Sequence, residues 1–254
     1  MPAIETTALT KRYGSTTAVE QLDLSVPDGT VYGFLGPNGA GKTTTMRILT
    51  GLTTPTSGAA TVAGVPVTDR DSLRPHIGYL PEEPPLYEQA TAYEQLEYVA
   101  GLRDLPQRET QARIDGLLDR LDLSREDAAT RIADYSKGMR QKVAYVQAVL
   151  HEPDVAFLDE PTSGLDPRAA RTIRELIREL TDGGTTVFLS THILPVVEAV
   201  ADTVGILYDG QLVAEDAPDT LTERAETGET RTLEDAFLEL TSADPAADAE
   251  ATDG

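Results

Sequence analysis

The chain has 254 residues, enough for one large domain or one core carrying an inserted subdomain. Hydrophobic residues make up 40% and aromatics 5%, so the core is expected to be mostly Leu, Val, Ile and Ala, and the lack of cysteine excludes disulfides and thiolate metal sites. Acids outnumber bases 43 to 21, a net charge of -22, which speaks against a nucleic-acid surface because phosphate tracking needs a basic patch.

The opening MPAIETTALTKRYG shows no basic region followed by an apolar run, and no stretch of 18 apolar residues occurs, so no signal peptide or membrane span is expected. Residues 1–30 carry short alternating runs such as Leu22, Leu24 and Val26, with the turn Pro27-Asp28-Gly29 behind them, and predict strands. Val31-Tyr32-Gly33-Phe34-Leu35 predicts a buried strand. A glycine-rich loop and a helical pattern, TTTMRILTG, closed by Gly51, come next. Residues 59–68 suggest a hairpin, and Ile77-Gly78-Tyr79-Leu80 a further strand. From about 84 to 149 apolar residues fall at helical spacing, as in Tyr93, Leu96, Val99, then Ile114, Leu117, Leu118 and Leu121, and predict an all-helical insertion. Val155 to Leu158 returns to strand, Ile173, Leu176, Ile177 and Leu180 mark an amphipathic helix ending at Gly183-Gly184, and Thr186 to Ser190 is strand again. Alternating strands and helices predict an α/β fold with a parallel sheet. The final SADPAADAEATDG, with four acids and no base, is expected to be disordered.

The loop Gly36-Pro37-Asn38-Gly39-Ala40-Gly41-Lys42-Thr43 fits G-x-x-x-x-G-K-[ST] between a predicted strand and a predicted helix. Glycines let N–H groups curl around phosphate oxygens, the helix adds its positive end, Lys42 gives a point charge to the β/γ-phosphates, and the Thr43 hydroxyl is a ligand for Mg²⁺. Asp159 ends the apolar run 155–158 and is placed to hold Mg²⁺ through water, while Glu160 is placed to activate the attacking water. Guanine-specific proteins of this class usually read their base with Asn-Lys-x-Asp, and the one asparagine here, Asn38, lies inside the loop.

In order along residues 4 to about 240, these pieces resemble the nucleotide-binding subunit of an ATP-binding cassette (ABC) transporter. The resemblance makes Tyr13, in Lys11-Arg12-Tyr13-Gly14, the aromatic that stacks on adenine, and residues 36–43 with Thr44 the ATP-binding loop. It puts Glu82 where a Q-loop glutamine is usual, at a metal-facing position, and aligns Tyr135-Ser136-Lys137-Gly138-Met139 with the LSGGQ signature. Asp159 and Glu160 become the metal-binding acid and catalytic base, Asp166 a D-loop residue, and His192 the switch histidine. Three residues depart from the pattern: Glu82 adds a carboxylate, Lys137 replaces a glycine and Met139 a glutamine. Taken without the resemblance, Asp166 reads as a turn residue or helix cap.

The resemblance also implies a fold: a P-loop ATPase core (1–83 and 150–222) with an N-terminal antiparallel β subdomain, a helical subdomain at 84–149 bearing the signature, and a C-terminal helix and acidic tail at 223–254. It implies ATP and Mg²⁺ as cofactors, a second copy or a related ATPase as partner, and a separate transmembrane permease docked near Glu82 and the helical section. The chain would then work in the cytoplasm on the inner face of the cell membrane. Leu233 to Leu240 resembles the C-terminal element of exporter subunits of the drug, antibiotic and sodium efflux type. An importer ATPase subunit differs in partner rather than chemistry, and a non-transport ABC protein of translation or DNA repair usually has two cassettes or a long coiled coil. Only Lys11, Lys42, Lys137 and Lys142 are lysines, and this acid-rich, lysine-poor composition resembles that of salt-loving archaea, whose surface charge is screened; solubility through self-repulsion is the plainer reading.

Overall fold

The computed structural model describes residues 2–223 and 232–242. The chain opens with β1 (Ile4–Tyr13) and β2 (Thr16–Val26), followed by β3 (Val31–Leu35), which runs into α1 (Lys42–Leu49). β4 (Ser57–Val62), β5 (Val65–Pro66), the short α2 (Arg70–Leu73) and β6 (Ile77–Leu80) come next. Four helices then follow one another: α3 (Ala92–Leu102), α4 (Gln107–Arg120), α5 (Arg125–Ala128) and α6 (Lys137–Val149). β7 (Val155–Asp159), α7 (Pro167–Asp182), β8 (Thr186–Thr191), α8 (Leu194–Val200) and β9 (Thr203–Tyr208) alternate, and β10 (Gln211–Asp216), α9 (Pro218–Glu223) and α10 (Leu233–Ser242) close the fold. None of the described helices is long and apolar enough to cross a membrane. Of the acidic stretch expected to be disordered, 242–254, Ser242 instead ends α10, and 243–254 lie outside the described residues.

The strands form two sheets. An antiparallel one has the order β2-β1-β4-β5, and a larger one has the order β10-β9-β3-β8-β7-β6. In the larger sheet all pairings are parallel except that of β9 with the edge strand β10. β3, β7 and β8 are buried throughout, because both faces of the large sheet are covered. This is why they read as continuous apolar runs, whereas β1 and β2 alternate.

Toward the small sheet, Tyr32, Phe34, Phe157 and Phe188 pack against Met46, Ile48 and Leu49 of α1. The Phe188 ring lies 5.3 Å from Tyr32, 5.1 Å from Phe34 and 5.7 Å from Phe157. The expected aliphatic core is thus found mainly on the other face, where Ala156, Leu158, Val187 and Leu189 meet α3, α4, α6 and α7. Few rings in total did not mean few in the core: Tyr32, Phe34, Phe157 and Phe188 gather in one cluster on the face toward the small sheet. α10 buries Leu233 and Ala236 and half-buries Phe237 and Leu240, sharing a cluster with Val197 of α8 and Leu221 of α9.

His151, just after α6, donates from Nε2 to the Ile77 carbonyl at 2.9 Å. Burial, helped by the Arg103 charge, pushes its pKa from 6.5 down to about 4. The folded imidazole stays neutral where the unfolded one binds a proton. Its contribution to stability is therefore full above about pH 6.5 and is lost as pH falls toward about 4. The urea midpoint should drop between pH 7 and pH 5, and His151→Gln should flatten that drop; an equally steep drop in the variant would assign it to other groups.

Candidate functional site

Four parallel strands deliver their carboxyl ends to one cleft of about 350 Å³. β3 leads into the loop 36–41, β8 into His192, β7 ends on Asp159, and Glu82 lies two residues beyond β6. Asn38, Gly39, Gly41, Lys42, Thr43 and Thr44 line one side, and Glu82, Asp159, Glu160 and His192 the other. Ligands of open α/β sheets bind at such an end. Ala18 of β2 also lines the cleft, so the small sheet contributes a wall.

The loop owes its path to its glycines. Gly39 and Gly41 stand at φ 86 and 108, where side-chain-bearing residues are strained. A β-carbon at Gly41 would stand 2.2 Å from the Ala18 carbonyl oxygen. Lys42, 7% exposed, donates from Nζ to the carbonyls of Gly36 at 2.6 Å and Pro37 at 3.1 Å. Burial lowers the pKa of this ammonium, while Glu160, Asp159 and Glu82 pull it upward. The first-turn N–H groups of α1 have no intrahelical acceptor, so loop, helix end and ammonium together form a cradle for an anion.

The acid pair faces that cradle. Asp159 is 1% exposed, and its Oδ2 accepts a 3.1 Å hydrogen bond from the Thr43 hydroxyl. Burial raises the Asp159 pKa, against the lowering effect of the Ser190 and Thr43 hydroxyls. Among the described residues no group of three or more His, Cys, Asp or Glu is arranged to hold a metal. Thr43 and Asp159 are nevertheless the hard oxygen donors that suit Mg²⁺, which usually draws its remaining oxygens from phosphate and water. Glu160, 6% exposed, sits at φ 49 with its N–H on the Ser190 carbonyl at 2.8 Å. Its Oε2 accepts the Thr191 hydroxyl at 2.9 Å. Its Oε1 accepts the His192 backbone N–H at 2.9 Å and lies 2.7 Å from His192 Nδ1.

Other sequence-predicted residues lie elsewhere. Gly36, Pro37 and Ala40 shape the loop without lining the cleft. Tyr13 is not among the cleft residues either; its ring is 50% exposed, with Lys11 Nζ 5.0 Å from its centroid. Ser136 caps α6, its hydroxyl accepting the Met139 N–H at 3.2 Å, and Gly138 and Met139 follow in the first turn, outside the cleft. Lys137 Nζ donates to Ser163 Oγ at 3.1 Å. Asp166 caps α7, taking N–H groups of Arg168 and Ala169 at 2.9 and 3.0 Å, and these donors lower its pKa. Sequence reasoning missed Ala18 and Thr191. Adjacency to His192 was the one available signal for Thr191, and Ala18 offered none.

Residues 19–163 match the sequence family described as ABC transporter. An ABC transporter ATP-binding protein of Nostoc sp. is 44% identical over 199 residues, covering 78% of this chain and 59% of the relative. The daunorubicin resistance ATP-binding protein DrrA3 of Streptomyces coeruleorubidus is 41% identical over 227 residues, covering 89% and 71%. The chain thus spans less than two thirds of the cyanobacterial relative's length. Among solved structures, an ATP-binding subunit of an ABC transporter superposes with a TM-score of 0.86 at 33% identity, covering 94% of this chain and 99% of the other. The dimeric ATP-binding cassette MJ0796, in a post-hydrolysis state with ADP and Pi, superposes with a TM-score of 0.78 at 25% identity, covering 84% and 98%.

Proposed function

The chain belongs to the ABC transporter family, and from that membership we propose that it binds and hydrolyses ATP and couples closure of a pair of such chains to export through a separate membrane permease. The observation that carries this reading is the convergence of Lys42, Thr43, Asp159, Glu160 and His192 on one cleft at the strand ends. Export is favoured over import by the likeness to a daunorubicin resistance protein.

In this reading the N–H groups of Gly39 to Thr44 and the Lys42 ammonium bind the β- and γ-phosphates, and Tyr13 stacks on adenine. Thr43 and Asp159, with Glu82 beside them, would hold Mg²⁺, whose charge would offset that of the phosphates when bound. Water attacks the γ-phosphorus, the bond to the β-phosphate oxygen breaks, and ADP leaves with the electron pair. Glu160 takes the water proton, and His192 leaves Oε1 to meet the γ-phosphate. Ser136, Lys137, Gly138 and Met139 meet the ATP of the partner chain, with Asp166 at the same seam, so two ATPs are sandwiched between two chains. Loss of the γ-phosphate removes the contacts that favour closure. Residues 84–149 act as a helical subdomain within a cassette of about residues 4–235.

The permease would dock in a second hollow of about 300 Å³ beside β6 and α3. Its lining includes Leu52, Tyr79 and Val99, with Arg70, Arg74 and Arg103, and these three arginines form no ion pair among the described residues. Arginines without a carboxylate partner among the described residues, in a chain of net charge -22, favour an acidic partner segment. Such docking would hold the chain at the inner face of the membrane, and its acid-rich, lysine-poor surface suits concentrated salt.

Two measurements test this. The purified chain should release phosphate from ATP with Mg²⁺ and not with excess chelator. It should also co-isolate with a multi-helix membrane protein, and Arg70→Glu with Arg74→Glu should free it from membranes while phosphate release by the free chain persists. Recovery on ribosomes or DNA, or no ATP turnover, would overturn the reading.

A further inference from the structure

The backbone of Glu160 is left-handed, a conformation that a residue with a β-carbon holds only under constraint. Its carbonyl oxygen accepts twice: from the Ser163 N–H at 3.0 Å, closing a tight turn, and from Gln141 Nε2 at 3.3 Å. Gln141 is 1% exposed and belongs to α6. One helical turn earlier on the same helix, Lys137 Nζ donates to Ser163 Oγ at 3.1 Å. The Lys137 methylenes cover Gly164, where a β-carbon would meet Lys137 Cδ at 2.8 Å. Positions 137 and 141 are four apart, so they share a helix face. That face places one donor at each end of the turn Glu160–Ser163.

We propose that Lys137 and Gln141 form a two-point clamp through which the helix opening at Ser136 sets the position of the Glu160 carboxylate. Both are positioning residues for ATP hydrolysis, and the proposal rests on Glu160 being the base. The interior of α6 is packed by Val143, Ala144, Tyr145 and Val146, all buried, so the helix shifts as a body. Any displacement of its first turn then reaches Glu160 through two hydrogen bonds rather than along the chain. With Ser136 engaging the ATP of a partner chain, filling one site would adjust the base of the other. Lys137, where the resembled family usually has glycine, gains a role: a glycine there could not reach Ser163.

The test is steady-state ATP hydrolysis by the full chain, with kcat and KM separated. Gln141→Leu keeps an apolar filler but cannot donate. Its kcat should fall about tenfold or more, since small misplacements of a reacting group are costly, with KM within about twofold. Lys137→Met keeps the stem over Gly164 and should lower kcat severalfold, and Lys137→Arg should recover it. The double variant should lose less than the product of the single losses, because both donors act on one turn. Lys137 is exposed, so its variants are expected to fold. Wild-type kcat in both Gln141→Leu and Lys137→Met would overturn the clamp. So would a Gln141→Leu loss matched by its urea midpoint while Lys137→Met stays at wild type. Glu160→Gln in the same assay separates the two levels: if it keeps turnover, the base assignment fails. If it loses turnover while the clamp variants keep theirs, the clamp alone fails.

Discussion

Glu160→Gln should lower ATP turnover by about a thousandfold, the middle of the range for losing a general base, while ATP affinity stays within about threefold or improves. The amide keeps the size of the carboxylate and its carbonyl oxygen can still take the His192 N–H that Oε1 takes now. Its NH₂ can donate to the Thr191 oxygen, reversing the present 2.9 Å bond. The backbone, with φ 49 and the bonds to Ser190, Ser163 and Gln141, does not depend on the side chain's charge. Only the proton acceptor and one negative charge are removed. That charge faces a cradle meant for polyphosphate, so its loss does not weaken ATP binding. ATP should therefore be bound and not consumed, and closed pairs should accumulate. Light scattering should show the mass of the variant doubling with ATP and returning when nucleotide is removed. Turnover near wild type, or no ATP-dependent doubling, would sink the base role or the pairing, respectively.

The sequence displayed this site unevenly, for physical reasons. The loop 36–43 was legible because binding phosphate with N–H groups demands glycines at fixed spacing beside a lysine. Asp159 and Glu160 were legible because the doubly covered strand before them is uniformly apolar and ends abruptly in charge. Thr191, Gln141 and Ala18 were not. Each acts through a contact with a segment far away in the chain, and each is a residue type with ordinary uses everywhere. Thr191 and Gln141 serve Glu160 from β8 and α6, and Ala18 offers only a carbonyl and a small side chain. Asp166 was legible as a turn residue or helix cap, and it caps α7. The aromatic cluster under the site was hidden by averaging, since 5% aromatics says nothing about where they gather.

The small sheet walls the proposed phosphate site through Ala18, and Gly41→Ala should reveal it. At φ 108 an alanine costs about 1–3 kcal/mol in backbone strain. Its β-carbon would also lie 2.2 Å from the Ala18 carbonyl oxygen, and such overpacking adds about 1–3 kcal/mol. Neither neighbour can yield easily. Ala40 accepts the Gly210 N–H at 3.0 Å, and Gly210 accepts the Glu20 N–H at 2.8 Å, so loop, β9–β10 turn and β2 are stitched together. Relief must come from opening the loop, which also spreads the N–H groups that would meet phosphate. The unfolding free energy should fall by about 2–6 kcal/mol, and affinity for a fluorescent ATP analogue by more than about tenfold. Gly39→Ala is the control: φ is 86, yet nothing stands within 4 Å of its added carbon. Strain alone then applies, about 1–3 kcal/mol, with the cradle's contact to β2 left in place. If Gly41→Ala proved no worse than Gly39→Ala in urea midpoint and nucleotide affinity, the Ala18 wall would be incidental. A larger loss at Gly41 would mean that a hairpin distant in sequence fixes the shape of the loop.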